Sequence, residues 1–264
     1  MTETALDRAH AAMEAAPEND AARLRFYERL SDAELFLLLE TPAQEDAASP
    51  QSFEIEGQSF VLAFDREERL AAFAGAAPYL ALSGRRLVAL LAAEGSGLGL
   101  NLEVAPSAFL LGPEGVGWLA GILSEAQAHA QPLSTEAPLE VFAPRGVPDA
   151  LLLALDQKLA IAEEAARSAY LVGVRYRDGR LGHVLAIVDV APGAETALSQ
   201  AVAEALVFSG VEAGTLDVSF VRAADQITAR FARHGVRFDL PELVSTREPE
   251  APGMDPSRPP RLRR

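Results

Sequence analysis

The stretch from Ser124 to Pro138 reads SEAQAHAQPLSTEAP, and no other segment limits the chain's architecture as much. Its Ala, Gln, Pro, Ser and Thr content is that of a linker. On both sides, short apolar runs of strand type alternate with segments of helical period. A single continuous core along the chain is therefore not expected. The pattern predicts two bodies, residues 1–123 and 139–244, joined by a linker over 124–138. The remaining 245–264 is Pro- and Arg-rich without an apolar pattern, the composition of a disordered tail. Helices and strands mingle in both bodies, so the fold class is α+β, with mainly antiparallel or mixed sheets packed with helices.

In the first body, Thr4 followed by Asp7 has the spacing of a capping box at the head of a helix that Pro17 ends. Leu24, Tyr27 and Leu30 mark a second helix. The run Glu34-Leu35-Phe36-Leu37-Leu38-Leu39 fits a helix capped by Ser31-Asp32 or a buried strand equally, because periodicity cannot separate the two in so short a run. Phe53–Ile55 and Ser59–Phe64 flank Glu56-Gly57-Gln58, a hairpin signal. A short helix over Asp65–Phe73 and a strand over Tyr79–Leu82 follow. Ser83 then heads a helix whose inward residues read as Leu87, Leu90 and Leu91. Gly95, Gly97 and Gly99 end it, two short strands follow, and Pro113 opens a last helix to Leu123 in which Trp118 reads as core.

In the second body, Pro148 sits where a helix first turn tolerates it. Leu152, Leu155, Leu159 and Ala162 form the expected apolar stripe, while Asp156 and Lys158 point to water. Asp178-Gly179 predicts a type I′ hairpin over Ala169–Val190. That register sets Val174 opposite His183, Val172 opposite Leu185 and Tyr170 opposite Ile187. One sheet face then carries Tyr170, Val172, Val174, Tyr176 and His183. A helix to Phe208, an alternating strand over Thr215–Val221, a helix over Asp225–Arg233 and a strand over Val236–Phe238 complete the unit.

Composition removes several chemistries. The chain carries 23 Lys+Arg against 38 Asp+Glu, a net charge of −15, and it has no cysteine. Disulfides, thiolate metal sites and a thiol nucleophile are excluded. An acidic chain lacks the basic surface that nucleic acid requires. No stretch is apolar for the roughly 18 residues of a membrane span, and the first residues lack the basic-then-apolar order of a secretory signal. A cytoplasmic location is expected. Lys158 is the only lysine, which leaves little for Schiff-base or phosphate-loop chemistry. The glycines at 95, 97 and 99 follow a helix and precede a strand, the reverse of a nucleotide loop. The four histidines, His10, His129, His183 and His234, form no short-spaced pair. His10 and His129 read as surface positions. Neither a cofactor nor a metal is expected. Arg85 and Arg86 lie in a helix first turn, where the dipole disfavours cations, and so point to pairing with acids or with a partner.

The same order of elements resembles the SseB family, named for enhanced serine sensitivity. The resemblance runs through Leu24-Arg25-Phe26-Tyr27-Glu28-Arg29-Leu30, Glu34–Leu37, Val61–Phe64 with Glu67–Leu70, and Gly99–Leu102. It continues through Pro148–Leu159, Ala169–Val172 and His183–Ile187. Where members carry Asn-Pro-Gly or a similar turn, this chain reads Asn101-Leu102-Glu103-Val104. The resemblance implies a two-domain bacterial cytoplasmic protein without an established enzymatic activity, linked to amino-acid physiology, and the absent catalytic signatures make a non-enzymatic protein the expectation. The expected function is protein–protein binding, with Tyr170, Val172, Tyr176 and His183 on the binding face and an unidentified protein as partner. The alternative is an amino-acid or metabolite sensor, with Arg85, Arg86 or Asn101 orienting a carboxylate between the domains. A hydrolase or transferase built on scattered acids is the third reading.

Overall fold

The computed structural model describes residues 2–43, 48–129, 138–162, 164–210 and 216–240. The expected tail, 245–264, lies outside these residues, as does most of the expected linker.

Local chemistry explains the first unit's element boundaries. The Thr4 hydroxyl accepts from the Asp7 amide at 3.1 Å and the Asp7 carboxylate accepts from the Thr4 amide at 2.9 Å. This capping box opens α1 (Ala5–Ala15). The Asn19 side chain caps α2 (Asp20–Asp32). The ambiguous apolar run is a strand, β1 (Glu34–Leu38). It lies inside the sheet, antiparallel to both neighbours, and its two sides meet different layers of helices. β2 (Ser52–Ile55) and β3 (Gln58–Phe64) form the expected hairpin. Its two-residue turn has Glu56 at φ 52° and Gly57 at φ 78°, the paired left-handed conformations of a type I′ turn.

The unit continues with α3 (Glu67–Ala74), β4 (Tyr79–Ser83), α4 (Gly84–Glu94), β5 (Gly97–Leu100), β6 (Phe109–Leu111) and α5 (Pro113–His129). The sheet order is β4-β1-β3-β5-β6, with β2 beside β3 and only the β3–β5 pair parallel. Leu35, Leu37, Val61 and Ala63 pack under α1, α2, α4 and α5. Leu38, Leu62 and Phe64 pack on the opposite side with Leu70 of α3.

Three expectations change here. Leu90 is exposed, because the buried stripe of α4 runs through Gly84, Leu87, Val88 and Leu91. Trp118 is 46% exposed and stands edge-on to Tyr27 instead of filling the core. His10 is buried between the rings of Phe26 and Phe109, where its flat ring packs edge-on. In addition, α5 runs to His129, past the expected end at Leu123 and into the stretch read as linker.

Gly84 brings α4 against the end of α2. Its amide donates to the Ala33 carbonyl at 2.8 Å, and a Cβ there would lie 1.8 Å from the Leu30 carbonyl oxygen. Gly84→Ala is expected to destabilise the protein by about 1–3 kcal/mol through forced backbone shifts. Urea denaturation checks this, with Gly117→Ala, which meets no neighbour, as the reference.

The second unit consists of β7 (Glu140–Phe142), α6 (Asp149–Ala160), β8 (Ser168–Arg175), β9 (Leu181–Val188), α7 (Glu195–Phe208), β10 (Leu216–Val221), α8 (Gln226–His234) and β11 (Val236–Asp239). The sheet order is β10-β9-β8-β11, with β7 beside β8; β9 and β10 are parallel. α6 and α7 cover one face and α8 the other.

The β8–β9 hairpin departs from the expected register by one residue. Val172 pairs with Val184, and Gly173 pairs with His183. The cause lies in the turn. Tyr176 donates its amide to Arg180 at 2.9 Å, and Gly179 donates to the Tyr176 carbonyl at 3.0 Å. Gly179 alone has positive φ, 86°. The loop is therefore Arg177-Asp178-Gly179, a type I turn closed by a left-handed glycine, not a two-residue type I′ turn. One added loop residue flips every β9 side chain to the other face. His183 is thus separated from Tyr170, Val172 and Tyr176 by the thickness of the sheet.

Candidate functional site

That flip places His183 in a cleft of ≈ 800 Å³. One wall is the connection from β7 to α6, Arg145-Gly146-Val147-Pro148; the other is the end of the β8–β9 hairpin. Leu171, Leu216, Val147, Leu151 and Phe142 give it an apolar floor, and Arg145, Arg175, Arg180 and His183 stand around it. The His183 ring Nε2 lies 3.1 Å from the Arg145 carbonyl oxygen. A carbonyl can only accept, so this nitrogen carries the proton and ties the loop wall to the sheet. Gly146, at φ 70°, allows the loop to bend there.

The arginines are held loosely. Arg180 lies over the Tyr176 ring, 4.1 Å from its centre, and 4.0 Å from the Asp217 carboxylate. Asp217 accepts a hydrogen bond from the Tyr176 hydroxyl. Arg175 approaches Glu140 at 3.4 Å, with both side chains about half exposed. Exposed pairs of this kind contribute about 0–1 kcal/mol, so a bound anion can displace them. Among the described residues Arg145 forms no ion pair.

The structure divides the sequence-selected residues among separate places. Of the expected binding face, Val172 and Tyr176 are buried with Phe231 of α8, Tyr170 is half-buried beside them, and only His183 reaches the cleft. Asn101 is fully buried: its carbonyl oxygen accepts from the Asp65 amide at 3.0 Å and its NH₂ donates to Ser107 at 3.0 Å. It therefore presents nothing to a ligand between the units. Arg86 is exposed and apart from the cleft, and with Arg85 it lines a cavity of ≈ 440 Å³ between the two units.

Arg85 instead belongs to a charge cluster joining the two units. It donates to Glu204 at 2.7 Å and to Asp32 at 2.7 Å. Lys158 completes the cluster, 2.8 Å from both Asp32 and Glu204. Lys158 is only 2% exposed, contrary to the expectation that it faces water. The burial stripe of α6 runs through Leu151, Ala154, Leu155, Lys158 and Leu159; it keeps Leu155 and Leu159 of the expected stripe, with Leu152 and Ala162 half-buried at its edge, and is wide enough to take in Lys158. The i, i+3, i+4, i+7 spacing from Leu151 already contained this signal. Nearby Glu28 is buried, and burial pushes its carboxyl above the ordinary range against the pull of Lys158 and Arg29.

A second buried network ties α1 to α3. Arg69 donates to Asp7 at 3.0 Å and to Asp65 at 2.7 Å, and Ser107 donates to Asp7. Burial alone pushes the Asp7 carboxyl up, but the hydrogen bonds from Arg69, Ser107 and the Thr4 backbone, with the Arg69 charge, hold it far below the usual carboxylate range.

Residues 6–118, from α1 into α5, match the family model of the SseB protein N-terminal domain. No curated protein and no solved structure matches the chain. The matched range ends before the second unit, so the cleft lies wholly outside it. No helix among the described residues is long and apolar enough to cross a membrane.

Proposed function

We propose, from the premise that the first unit is an SseB N-terminal domain, that this chain is a non-enzymatic accessory protein acting by binding another protein. The cleft of the second unit is its binding site. One observation carries this reading: an open cavity with an apolar floor and arginine walls on a chain that is otherwise strongly acidic. Recognition of this kind needs a desolvated apolar anchor and charged groups that orient the partner. Between the two units Arg85 and Arg86 line a smaller cavity of ≈ 440 Å³ with Glu204, but Arg85 is already paired there with Asp32 and Glu204, so a carboxylate ligand is less favoured there than in the cleft. The proposed setting is the cytoplasm, with a role in amino-acid physiology, serine in particular, as the family name implies.

A free amino acid or related metabolite is the second reading. The cavity volume lies within the range of small-molecule sites.

A pull-down with the full chain separates the cleft from the hairpin's other face. The double variant Arg145→Glu, Leu181→Glu changes two exposed residues that line the cleft. It is expected to lose the partners that wild type and Tyr170→Ala both retain. Loss with Tyr170→Ala and retention with the cleft variant would reverse the assignment. Thermal shift against an amino-acid panel addresses the second reading: a rise in Tm with serine or a relative, absent in Arg145→Glu, favours the sensor.

A further inference from the structure

We infer that the occupant of this cleft is an acidic peptide segment carrying one bulky apolar side chain between its carboxylates. The inference rests on the binding role proposed above and names the class of partner. Charge complementarity over a short range selects this class. The whole chain carries −15, which by itself favours basic partners. Around the cleft the balance is reversed. Arg145, Arg175 and Arg180 line it, and Asp217 is the one lining carboxylate. That carboxylate is already engaged by the Tyr176 hydroxyl and faced by Arg180. At physiological ionic strength charges are screened over about 8 Å, so a ligand inside the cleft responds to these arginines more than to the distant acids of the body.

The chemistry of the groups narrows the ligand further. A guanidinium is a planar donor fork that matches a carboxylate in a bidentate pair. The arginines come from separate elements, Arg145 from the loop and Arg175 and Arg180 from the hairpin. Three guanidinium forks can engage more than one carboxylate, which favours a segment over a single small acid. Between the walls, half-buried Phe142 and Val147 and exposed Leu181 offer apolar surface to an aliphatic or aromatic side chain. The pairs of Arg175 with Glu140 at 3.4 Å and of Arg180 with Asp178 at 3.9 Å are exposed on both sides, and an incoming carboxylate replaces them with little loss.

The test is calorimetric titration of the full chain with three capped peptides: Gly-Asp-Glu-Leu-Asp-Glu-Gly, its Asn/Gln counterpart, and the acidic peptide with Ser for Leu. The acidic Leu peptide is expected to bind about tenfold or more tighter than either control. Arg145→Glu is expected to weaken it by about tenfold or more, and Tyr170→Ala to leave it unchanged. Arg180→Gln serves as a second variant, with circular dichroism confirming the fold of each. Equal binding of the acidic and amide peptides, or no binding, overturns the acidic class. Tighter binding of free glutamate than of the peptide, dependent on Arg145, overturns the peptide occupant in favour of a small carboxylate. If the peptide fails while the cleft variant still loses native partners in the pull-down, only the partner class is wrong. If both fail, the binding role at the cleft fails with them.

Discussion

Lys158→Ala is expected to lower the stability of the whole chain by about 3–5 kcal/mol, the usual result of removing one partner from a buried ion cluster. The lysine stands 2.8 Å from Asp32 of the first unit and 2.8 Å from Glu204 of the second, at 2% exposure. Without it, two buried carboxylates share Arg85, whose side chain is itself 36% exposed. The loss has a structural signature as well. Phe208 of α7 packs in the first unit's core, so the two units are joined by apolar contact and by this cluster. Weakening the cluster is expected to split a single urea transition into two. Asp156→Ala, on the exposed side of the same helix, is the reference and should stay within about 0.5 kcal/mol of wild type. A Lys158→Ala chain as stable as that reference would mean that the cluster contributes nothing to the union of the two units.

Arg69→Met is expected to be comparably severe, about 3–5 kcal/mol at neutral pH, because it leaves Asp7 and Asp65 buried without a counter-charge. Its pH dependence is more diagnostic than its size. In the wild type the Asp7 carboxyl is held below its unfolded value of about 3.9. A depressed carboxyl contributes stability that is fully present above the unfolded value and is lost as pH falls below it. In the variant, burial remains but the arginine is gone, so the same carboxyl should rise above its unfolded value. Its cost is then relieved as pH falls through that raised value. The stability gap between wild type and variant should therefore narrow steadily below neutrality. Glu28, whose raised carboxyl favours the folded state at lower pH, is present in both chains and cancels in the difference. Denaturation at a series of pH values measures the gap; a constant gap from pH 7 to pH 4 would refute the assignment of Asp7 as the Arg69-dependent group.

Much of the fold was legible because it depends on interactions between near neighbours. The Thr4–Asp7 capping box, the hairpin around Glu56-Gly57-Gln58 and the strand alternation at Leu216–Val218 are all visible within a few residues, and the structure reproduces them. The candidate site was far less legible. Asp178-Gly179 resembles Glu56-Gly57 in sequence, yet one turn spans three residues and the other two. Periodicity also showed the apolar stripe of α6 through Leu155 and Leu159 but not the width of its buried face, which takes in Leu151 and carries Lys158 into a buried ion cluster.

By itself, then, the sequence determined the α+β class, two sheet-and-helix bodies and most element boundaries, because hydrogen-bonded caps, turns and periodic burial act over short stretches of chain. Only the tertiary structure decided which residues meet. The partners of Lys158 and Arg85 lie on helices of both units, at Asp32 and Glu204. The cleft combines a loop before α6 with the far end of a hairpin. Side-chain facing in a sheet has a period of two, so a single residue of register decides it, and long-range packing chooses that register.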